Sequence, residues 1–227
     1  MIGPILSGAA RMKYSGAGTN IVFDGNSLVY GYQASSSAKS MPSQMVALPP
    51  LNGAVQVSNI GVSGQNITQM RSRGAAQADA RYAAGKKNIL LAWEGTNTIC
   101  NTGSGAGKTG LAAAADMVAY VQDRLAAHPD WFIVMMTTLP RFGLDAWSIA
   151  DGNAHLQAYD DYLRANWRAM GCKALVDVRA GGVFVYTGTT MDPKMAPYMA
   201  ETIHCNDTGY GLVAQYCASV LKRLPAR

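Results

Sequence analysis

Long blocks of like charge are absent from this sequence. Its 19 basic and 14 acidic side chains are scattered over 227 residues and leave a formal net charge of +5. Aromatic residues are not interleaved with basic ones in the pattern typical of nucleic-acid-binding surfaces. We therefore expect no nucleic-acid partner, whereas the mild positive charge permits an anionic polysaccharide as a partner.

Long hydrophobic runs are also missing. No stretch is long enough to cross a membrane, and the N-terminus lacks the basic and apolar regions of a signal peptide. We expect a soluble protein without a membrane partner, either cytoplasmic or part of a larger surface or virion protein. Residues 1–19, rich in Gly, Ser and Ala, are predicted to form an arm or linker ahead of a single domain at 20–227.

Cysteine is scarce, with four residues and no pair at Cys-x-x-Cys spacing. This pattern is typical neither of a disulfide scaffold nor of a zinc site. Asp177, Asp192 and Asp207 lie far apart, without a histidine at ligand spacing, so we expect no metal site. We expect reduced thiols, with a Cys100–Cys205 bridge as the alternative if the loops that carry these residues converge.

Short apolar segments alternate with segments of helical periodicity along the chain. The predicted strands are Asn20–Phe23, Ala54–Ile60, Asn88–Trp93, Trp131–Leu139 and Lys173–Val178. The predicted helices are 66–84, 109–128, 153–171 and 207–223. The alternation predicts an α/β fold, a three-layer α/β/α sandwich with a parallel sheet of about five strands. Functional residues are expected beyond the carboxyl ends of the strands.

Four short motifs fall after predicted strands or before the last helix. They are Asp24-Gly25-Asn26-Ser27, Asn59-Ile60-Gly61-Val62-Ser63-Gly64-Gln65, Glu94-Gly95-Thr96-Asn97 and Glu201-Thr202-Ile203-His204. A serine on a glycine turn, a glycine-rich turn, an amide donor and a carboxylate before a histidine are the groups that acyl transfer by serine requires. Each motif alone is equally well explained as an ordinary turn or helix cap.

Taken in this order, the motifs resemble the SGNH hydrolases, the GDSL-type esterase and lipase superfamily. The resemblance extends from Ile21 to about Leu221. It implies the flavodoxin-like SGNH hydrolase fold, a serine nucleophile and no cofactor. Ser27, His204 and Glu201 are the implied catalytic triad. The implied oxyanion hole consists of the backbone amides of Ser27 and Gly64 and the side chain of Asn97.

Two residues depart from the pattern of the superfamily. Asn26 stands where an aspartate usually precedes the nucleophile, a change that leaves the mechanism open. Glu201 stands where an aspartate usually lies three residues before the histidine. Glutamate can orient the imidazole from a longer arm, or it can face solvent and leave a Ser–His dyad.

The motifs do not identify the substrate, because the superfamily includes carbohydrate O-deacetylases, lipases and thioesterases. Aromatic and arginine side chains near the loops favour a small-molecule or polysaccharide ester, with Tyr30, Arg141 and Tyr198 as candidate substrate-binding residues. We predict a serine esterase that removes a short acyl group, acetyl in the first place, from a carbohydrate, for example as a phage tail component. The alternatives are a lipase or thioesterase of the same fold, or a catalytically silent carbohydrate-binding domain.

One further motif resembles a phosphate-binding loop. Gly103–Thr109 ends in Gly-Lys-Thr between a predicted strand and a predicted helix. Position 102 is threonine, although the phosphate-binding motif requires glycine there. We interpret this segment as a flexible loop beside the active site, with Lys108 in solvent.

Overall fold

The computed structural model of the protein describes residues 18–49, 51, 55–143 and 145–222. Most of the predicted arm, residues 1–17, lies outside the described residues, and Thr19 already begins the first strand. No helix in the described ranges combines the length and apolar character needed to cross a membrane.

Five parallel strands form the central sheet. They are β1 (Thr19–Gly25), β2 (Val55–Asn59), β3 (Lys87–Trp93), β4 (Phe132–Met136) and β5 (Ala174–Val176). Their spatial order is β2-β1-β3-β4-β5, which is the flavodoxin-like order. Ile21 is in register with Val57 on one side and with Ile89 on the other. The α/β class and the parallel five-stranded sheet predicted from the sequence are thus confirmed.

Helices cover both faces of the sheet. In chain order they are α1 (Ser27–Tyr30), α2 (Met41–Val46), α3 (Ile67–Gln77), α4 (Thr96–Cys100), α5 (Gly110–Ala127), α6 (Ile149–Asn166) and α7 (Asp207–Leu221). Single turns of 3-10 helix occur at Ser37–Lys39, Asp79–Arg81 and Ala196–Tyr198. The chain therefore folds into the expected three layers.

The strands are buried on both faces, so side chains of alternating residues enter two separate cores. Ile21 and Phe23 of β1 pack in one core with α2 and α7. Val22 of the same strand packs in the other core with residues of α3, α5 and α6. Burial on both faces explains the continuous apolar runs at Ile21–Phe23 in β1, Ile89–Trp93 in β3 and Phe132–Met136 in β4.

The boundaries of several predicted elements differ from the structure. The predicted helix 66–84 ends at Gln77, because a 3-10 turn at Asp79–Arg81 tightens the chain before β3. The predicted helix 153–171 occupies Ile149–Asn166, since Ser148 caps it by accepting a hydrogen bond from the N–H of Asp151. The predicted fourth strand stops at Met136, and Thr137–Leu139 continue as a buried loop.

The hypothesis of a Cys100–Cys205 bridge is wrong. Both cysteines are free and fully buried. Cys100 packs in the core that α3, α5 and α6 cover, whereas Cys205 packs in the core that α7 covers. The sheet therefore separates the two thiols, which cannot meet the short distance that a disulfide requires.

Candidate active site

The residues of the four motifs converge at the carboxyl edge of the sheet. Ser27 follows β1, Gly64 follows β2 and Asn97 follows β3. β2 lies on one side of β1, whereas β3, β4 and β5 lie on the other side. The direction in which successive strands are added to the sheet therefore reverses between β1 and β3. Crevices at such reversals are the usual ligand sites of open α/β sheets.

Ser27 is the first residue of α1, a helix of only four residues. Asn26 caps this helix, because its side chain accepts a hydrogen bond of 2.8 Å from the N–H of Leu28. Position 26, where the superfamily usually has aspartate, is thus a buried capping position here. The cap holds Ser27 at the helix start, where the first N–H groups have no partner within the helix.

The Oγ of Ser27 lies 2.8 Å from Nε2 of His204. His204 belongs to the loop before α7, and Asn206 caps that helix by accepting a hydrogen bond of 3.0 Å from the N–H of Gly209. The neighbouring Cys205 forms an isolated antiparallel bridge with Met199. Both contacts anchor the loop, so the imidazole is presented to Ser27 by fixed backbone on either side.

The other imidazole nitrogen of His204, Nδ1, contacts Oε1 of Glu201. Backbone hydrogen bonds hold the carboxylate in place, with Ile203 N–H donating to Oε2 at 2.8 Å and His204 N–H donating to Oε1 at 3.0 Å. The side chain of Glu201 is 35% exposed. The structure therefore brings Glu201 against His204 instead of leaving it free in solvent.

Two backbone N–H groups of the motifs have no hydrogen-bond partner among the residues that the structure describes. In the ranges that the structure describes, the N–H groups of Ser27 and Gly64 donate to no protein acceptor. Gly64 has a φ of +79° and open space where a side chain would begin. The left-handed backbone favours glycine, and the missing side chain leaves access to the N–H.

The side chain of Asn97 is held from two directions. Its Nδ2 donates to the carbonyl of Gln65 at 3.0 Å, and its Oδ1 accepts from Nη1 of Arg141 at 3.0 Å. Asn97 lies in the first turn of α4, whose N–H groups at Asn97 and Thr98 both donate to the carboxyl of Glu94. Asn97 is thus fixed through its backbone as well as through its amide.

Glu94 is a buried carboxyl group beneath the site. Burial raises its pKa to about 8, although hydrogen bonds from Thr98 and Asn97 and the charge of Arg141 oppose the shift. Its Oε2 has no hydrogen-bond partner in the described part of the chain. The group is therefore largely protonated at neutral pH, where it acts as an uncharged cap of α4.

A second polar cluster joins the loops that carry the site residues. Asp24 is fully buried, contacts Nη2 of Arg73 and accepts a hydrogen bond of 2.6 Å from the hydroxyl of Tyr120. Arg73 also donates to Oε1 of Gln65 at 2.7 Å, and Gln65 donates to the carbonyl of Gly25 at 3.0 Å. Gln65 therefore links the loops after β1, β2 and β3, since its carbonyl accepts from Asn97.

These residues border a cleft of about 280 Å³. The lining residues are Ser27, Tyr32, Ser63, Gly64, Asn97, Asn101, Arg141, Ile203 and His204. The ring of Tyr32 is 47% exposed and lies 4.8 Å from the imidazole of His204, centroid to centroid. The cleft is thus small and mixed in character, with polar side chains beside the aliphatic side chain of Ile203 and the exposed ring of Tyr32.

The three candidate substrate-binding residues have different positions. Arg141 lines the cleft, but it is only 5% exposed and its guanidinium donates to protein acceptors. Tyr30 is 58% exposed and is not among the residues that line the cleft. Tyr198 packs edge to face against Phe184, also outside the cleft lining. Asn101 and Ile203 line the cleft without any signal in the sequence that sets them apart.

The remaining motifs lie elsewhere. The sequence predicted that Lys108 of the Gly103–Thr109 segment is solvated. In the structure its Nζ instead forms an ion pair of 2.6 Å with Asp116. The three aspartates considered as metal ligands have separate partners: Arg164 for Asp177, Thr187 for Asp192 and Ser35 for Asp207. Within the described ranges, no group of three or more His, Cys, Asp or Glu side chains is arranged to hold a metal ion.

Comparisons with known proteins relate this arrangement to a family. A model of the GDSL-like lipase/acylhydrolase family matches residues 23–212. No curated protein matches the chain. A lipolytic G-D-S-L protein from Veillonella parvula is 16% identical, with a TM-score of 0.68 over 91% of this chain and 100% of that chain. An acetylxylan esterase from Geobacillus stearothermophilus is also 16% identical, with a TM-score of 0.67 over 92% of this chain and 95% of that chain.

A further solved structure, of an acetyl xylan esterase, is 15% identical and has a TM-score of 0.65 over 88% of this chain and 98% of that chain. At such low identity these structures establish a shared fold only. The family match is broader evidence, because it begins inside β1 and ends inside α7 and so includes all four motifs. The resemblance seen in the sequence is confirmed, and the chain belongs to the GDSL-like lipase/acylhydrolase family.

Proposed function

We propose that this protein is a serine esterase that hydrolyses short acyl esters, acetyl in the first place, on a carbohydrate. The observation that carries the proposal is the line of contacts from Ser27 Oγ to His204 Nε2, at 2.8 Å, and from His204 Nδ1 to Glu201. A hydroxyl, an imidazole and a carboxylate in this sequence of contacts are the arrangement that activates a serine nucleophile.

The reaction has two acyl-transfer steps. In the first, Ser27 Oγ attacks the ester carbonyl carbon while His204 takes the hydroxyl proton and then gives it to the leaving alcohol. In the second, His204 takes a proton from water, which attacks the acyl-Ser27 ester, and His204 then gives that proton to Ser27 Oγ as the acid leaves. Glu201 stabilises the imidazolium that forms in each step, because its carboxylate contacts Nδ1.

Negative charge develops on the carbonyl oxygen in both steps. We assign the oxyanion hole to the free N–H groups of Ser27 and Gly64 and the amide of Asn97, since all three residues line the same cleft. One such donor contributes roughly 3 kcal/mol to transition-state stabilisation. Donors that are already fixed in the folded protein need not reorganise during the reaction.

The size of the cleft favours a short acyl group. Its volume is about 280 Å³, and among the side chains that line it Ile203 is the aliphatic one. A long acyl chain would need a larger apolar wall to replace its contact with solvent. Ser63, Asn101 and the exposed ring of Tyr32 instead suit a sugar, whose hydroxyl groups and apolar faces match polar and aromatic side chains.

The family and the fold are compatible with this substrate class. Two proteins of similar fold are described as acetylxylan esterases, at 15% and 16% identity. Identity this low transfers no substrate, so the preference for an acetylated carbohydrate depends on the cleft itself.

The proposal is tested by comparing the wild-type protein with Ser27→Ala. We expect release of acetate from acetylated xylan and of p-nitrophenol from p-nitrophenyl acetate, with rates that fall as the acyl chain lengthens. Ser27→Ala should lower kcat by at least about 10⁴-fold. Activity confined to long-chain esters would contradict the acetyl preference, and activity that survives Ser27→Ala would contradict the mechanism. A wild-type protein that binds glycans but cleaves no ester would favour the silent carbohydrate-binding domain.

A further inference from the structure

Arg141 is a buried arginine in the loop after β4, with 5% of its surface exposed. All three of its guanidinium nitrogens donate to acceptors of the protein. Nε donates to the carbonyl of Gly143 at 2.6 Å, Nη1 to Oδ1 of Asn97 at 3.0 Å and Nη2 to Oδ1 of Asn101 at 2.7 Å. These bonds leave the guanidinium fixed against the cleft wall instead of extended towards a ligand.

The backbone of Arg141 is equally well held. Its N–H donates to Oδ1 of Asn153 at 3.0 Å, and its carbonyl accepts from Nδ2 of the same side chain at 2.6 Å. Asn153 lies on α6 and is 1% exposed. The loop that carries Arg141 is thus clamped to a long helix, so the guanidinium has a defined position relative to Asn97.

An asparagine amide has a donor end and an acceptor end, and rotation by half a turn exchanges them. A guanidinium can only donate hydrogen bonds, whereas a backbone carbonyl can only accept them. Arg141 therefore selects Oδ1 of Asn97, and the carbonyl of Gln65 selects Nδ2. In the opposite orientation, Nδ2 of Asn97 would face the donor Nη1 of Arg141, and Oδ1 would face the carbonyl oxygen of Gln65.

With this orientation, Nδ2 uses one hydrogen for Gln65 and retains the second. Asn97 lines the cleft together with Ser27 and Gly64, so the second hydrogen is available at the place where the oxyanion forms. The charge of Arg141 on Oδ1 also polarises the amide and strengthens Nδ2 as a donor.

We propose that Arg141 is a positioning residue for the oxyanion hole, which keeps the amide of Asn97 turned with Nδ2 towards the reacting carbonyl. This inference rests on the proposed function. It replaces the substrate-binding role that the sequence suggested for Arg141, because the arginine acts on the reaction through Asn97.

A double-mutant cycle tests the inference, with Arg141→Met, Asn97→Ala and the combined variant assayed on p-nitrophenyl acetate. Asn97→Ala should lower kcat by about 100-fold, the loss of one oxyanion donor. Arg141→Met should lower kcat by about 10-fold or more, with KM changed less than about 2-fold, because a misoriented amide affects the transition state selectively. The combined variant should have the kcat of Asn97→Ala, since Arg141 has no effect without that amide.

Arg124→Met is the matched control. Arg124 is as buried as Arg141, at 4% exposure. It lies in the last turn of α5, away from the carboxyl edge of the sheet, and forms an ion pair with Asp79. It should lose stability without losing kcat per folded molecule, as measured by thermal unfolding and titration of active sites. If Arg141→Met does not fold, the cycle uses Arg141→Lys, which keeps the charge but cannot reach three acceptors at once.

Three results would overturn the inference. The first is Arg141→Met with a wild-type kcat. The second is a combined variant at least about 10-fold slower than Asn97→Ala, because independent effects multiply. The third is Asn97→Ala with a wild-type kcat, which would also remove Asn97 from the proposed oxyanion hole. In the first two cases the proposed esterase function would stand. Failure of the inference on Arg141 is therefore distinguishable from failure of the proposed function.

Discussion

Ser27 Oγ lies 2.8 Å from Nε2 of His204, although 177 positions separate the two residues in the chain. The serine is placed by the end of β1 and the cap at Asn26. The histidine is placed by the bridge between Met199 and Cys205 and by the start of α7. Because α7 packs on the core of the sheet, the serine and the histidine are brought together by the assembly of the whole domain.

The contact between Glu201 and His204 predicts a triad. Glu201→Gln should lower kcat on p-nitrophenyl acetate by at least about 100-fold, because a neutral amide cannot stabilise the imidazolium and can present the wrong group to Nδ1. KM should change little, since Glu201 is not among the residues lining the cleft. Asp161→Asn, which removes an exposed carboxylate on α6, is the control. A Glu201→Gln enzyme as fast as this control would indicate a Ser–His dyad.

Gly64 and Gly85 form a matched pair for testing the need for glycine at position 64. Both have left-handed φ values, +79° and +76°, and neither has an atom within 4 Å of an added Cβ. Alanine at either position should lower the free energy of unfolding by about 1–2 kcal/mol through backbone strain alone. Only Gly64→Ala should also lower kcat, because Gly64 lines the cleft, where an added methyl group takes space beside the reacting ester, whereas Gly85 lies before β3 at the opposite edge of the sheet. Equal kcat in both variants, measured beside urea unfolding, would mean that the reaction does not need a glycine at position 64.

The exposed ring of Tyr32 predicts a test of the carbohydrate preference. Tyr32→Ala should lower kcat/KM for acetylated xylan by about 10-fold, which corresponds to roughly 1.4 kcal/mol of lost stacking. Hydrolysis of p-nitrophenyl acetate should fall much less, because its small alcohol does not reach along the ring. Tyr30→Ala, which removes a more exposed ring outside the cleft lining, is the control. Equal losses on both substrates would mean that Tyr32 supports His204 and does not bind sugar.

The buried carboxyl of Glu94 predicts a pH dependence of stability. The folded protein retains a proton up to about pH 8 that the unfolded chain releases near pH 4.5. The unfolded state therefore binds fewer protons between these values, and the free energy of unfolding falls as pH rises through this window. The slope is at most about 1.4 kcal/mol per pH unit. Below pH 4.5 the contribution of protonated Glu94 to the free energy of unfolding is fully present, and above about pH 8 this contribution is lost.

Glu94→Gln should remove this slope, because the amide keeps an acceptor for the N–H groups of Asn97 and Thr98 but does not ionise. Urea unfolding of both proteins at a series of pH values between 5 and 8.5 measures the difference. Parallel curves for the two proteins would mean that Glu94 ionises in the folded state as readily as in the unfolded chain.

The sequence was informative where one segment determines its own structure. The apolar runs of β1, β3 and β4 predict buried parallel strands, and the helical periodicity around α5 and α7 predicts those helices to within two residues. The short helices α1, α2 and α4 were not predicted, because four to six residues are too few to show a period of 3.6. These unpredicted helices nevertheless carry Ser27 and Asn97.

The four motifs, their order and the strands that precede them are properties of the sequence alone, and they predicted both the fold and the residues that meet at the site. Tertiary structure decided which way each side chain faces. Glu201 turns to His204 because two backbone N–H groups hold its carboxylate, and Arg141 turns to Asn97 because α6 clamps its loop. The sheet also keeps Cys100 and Cys205 apart. The positions of Arg141 and of the two cysteines depend on groups distant in the chain, which local sequence patterns cannot encode, because hydrogen bonds and packing between layers act only once the layers have assembled. The contact between Glu201 and His204 is local, but the sequence leaves two directions open to the carboxylate, and the fold of the loop before α7 decides between them.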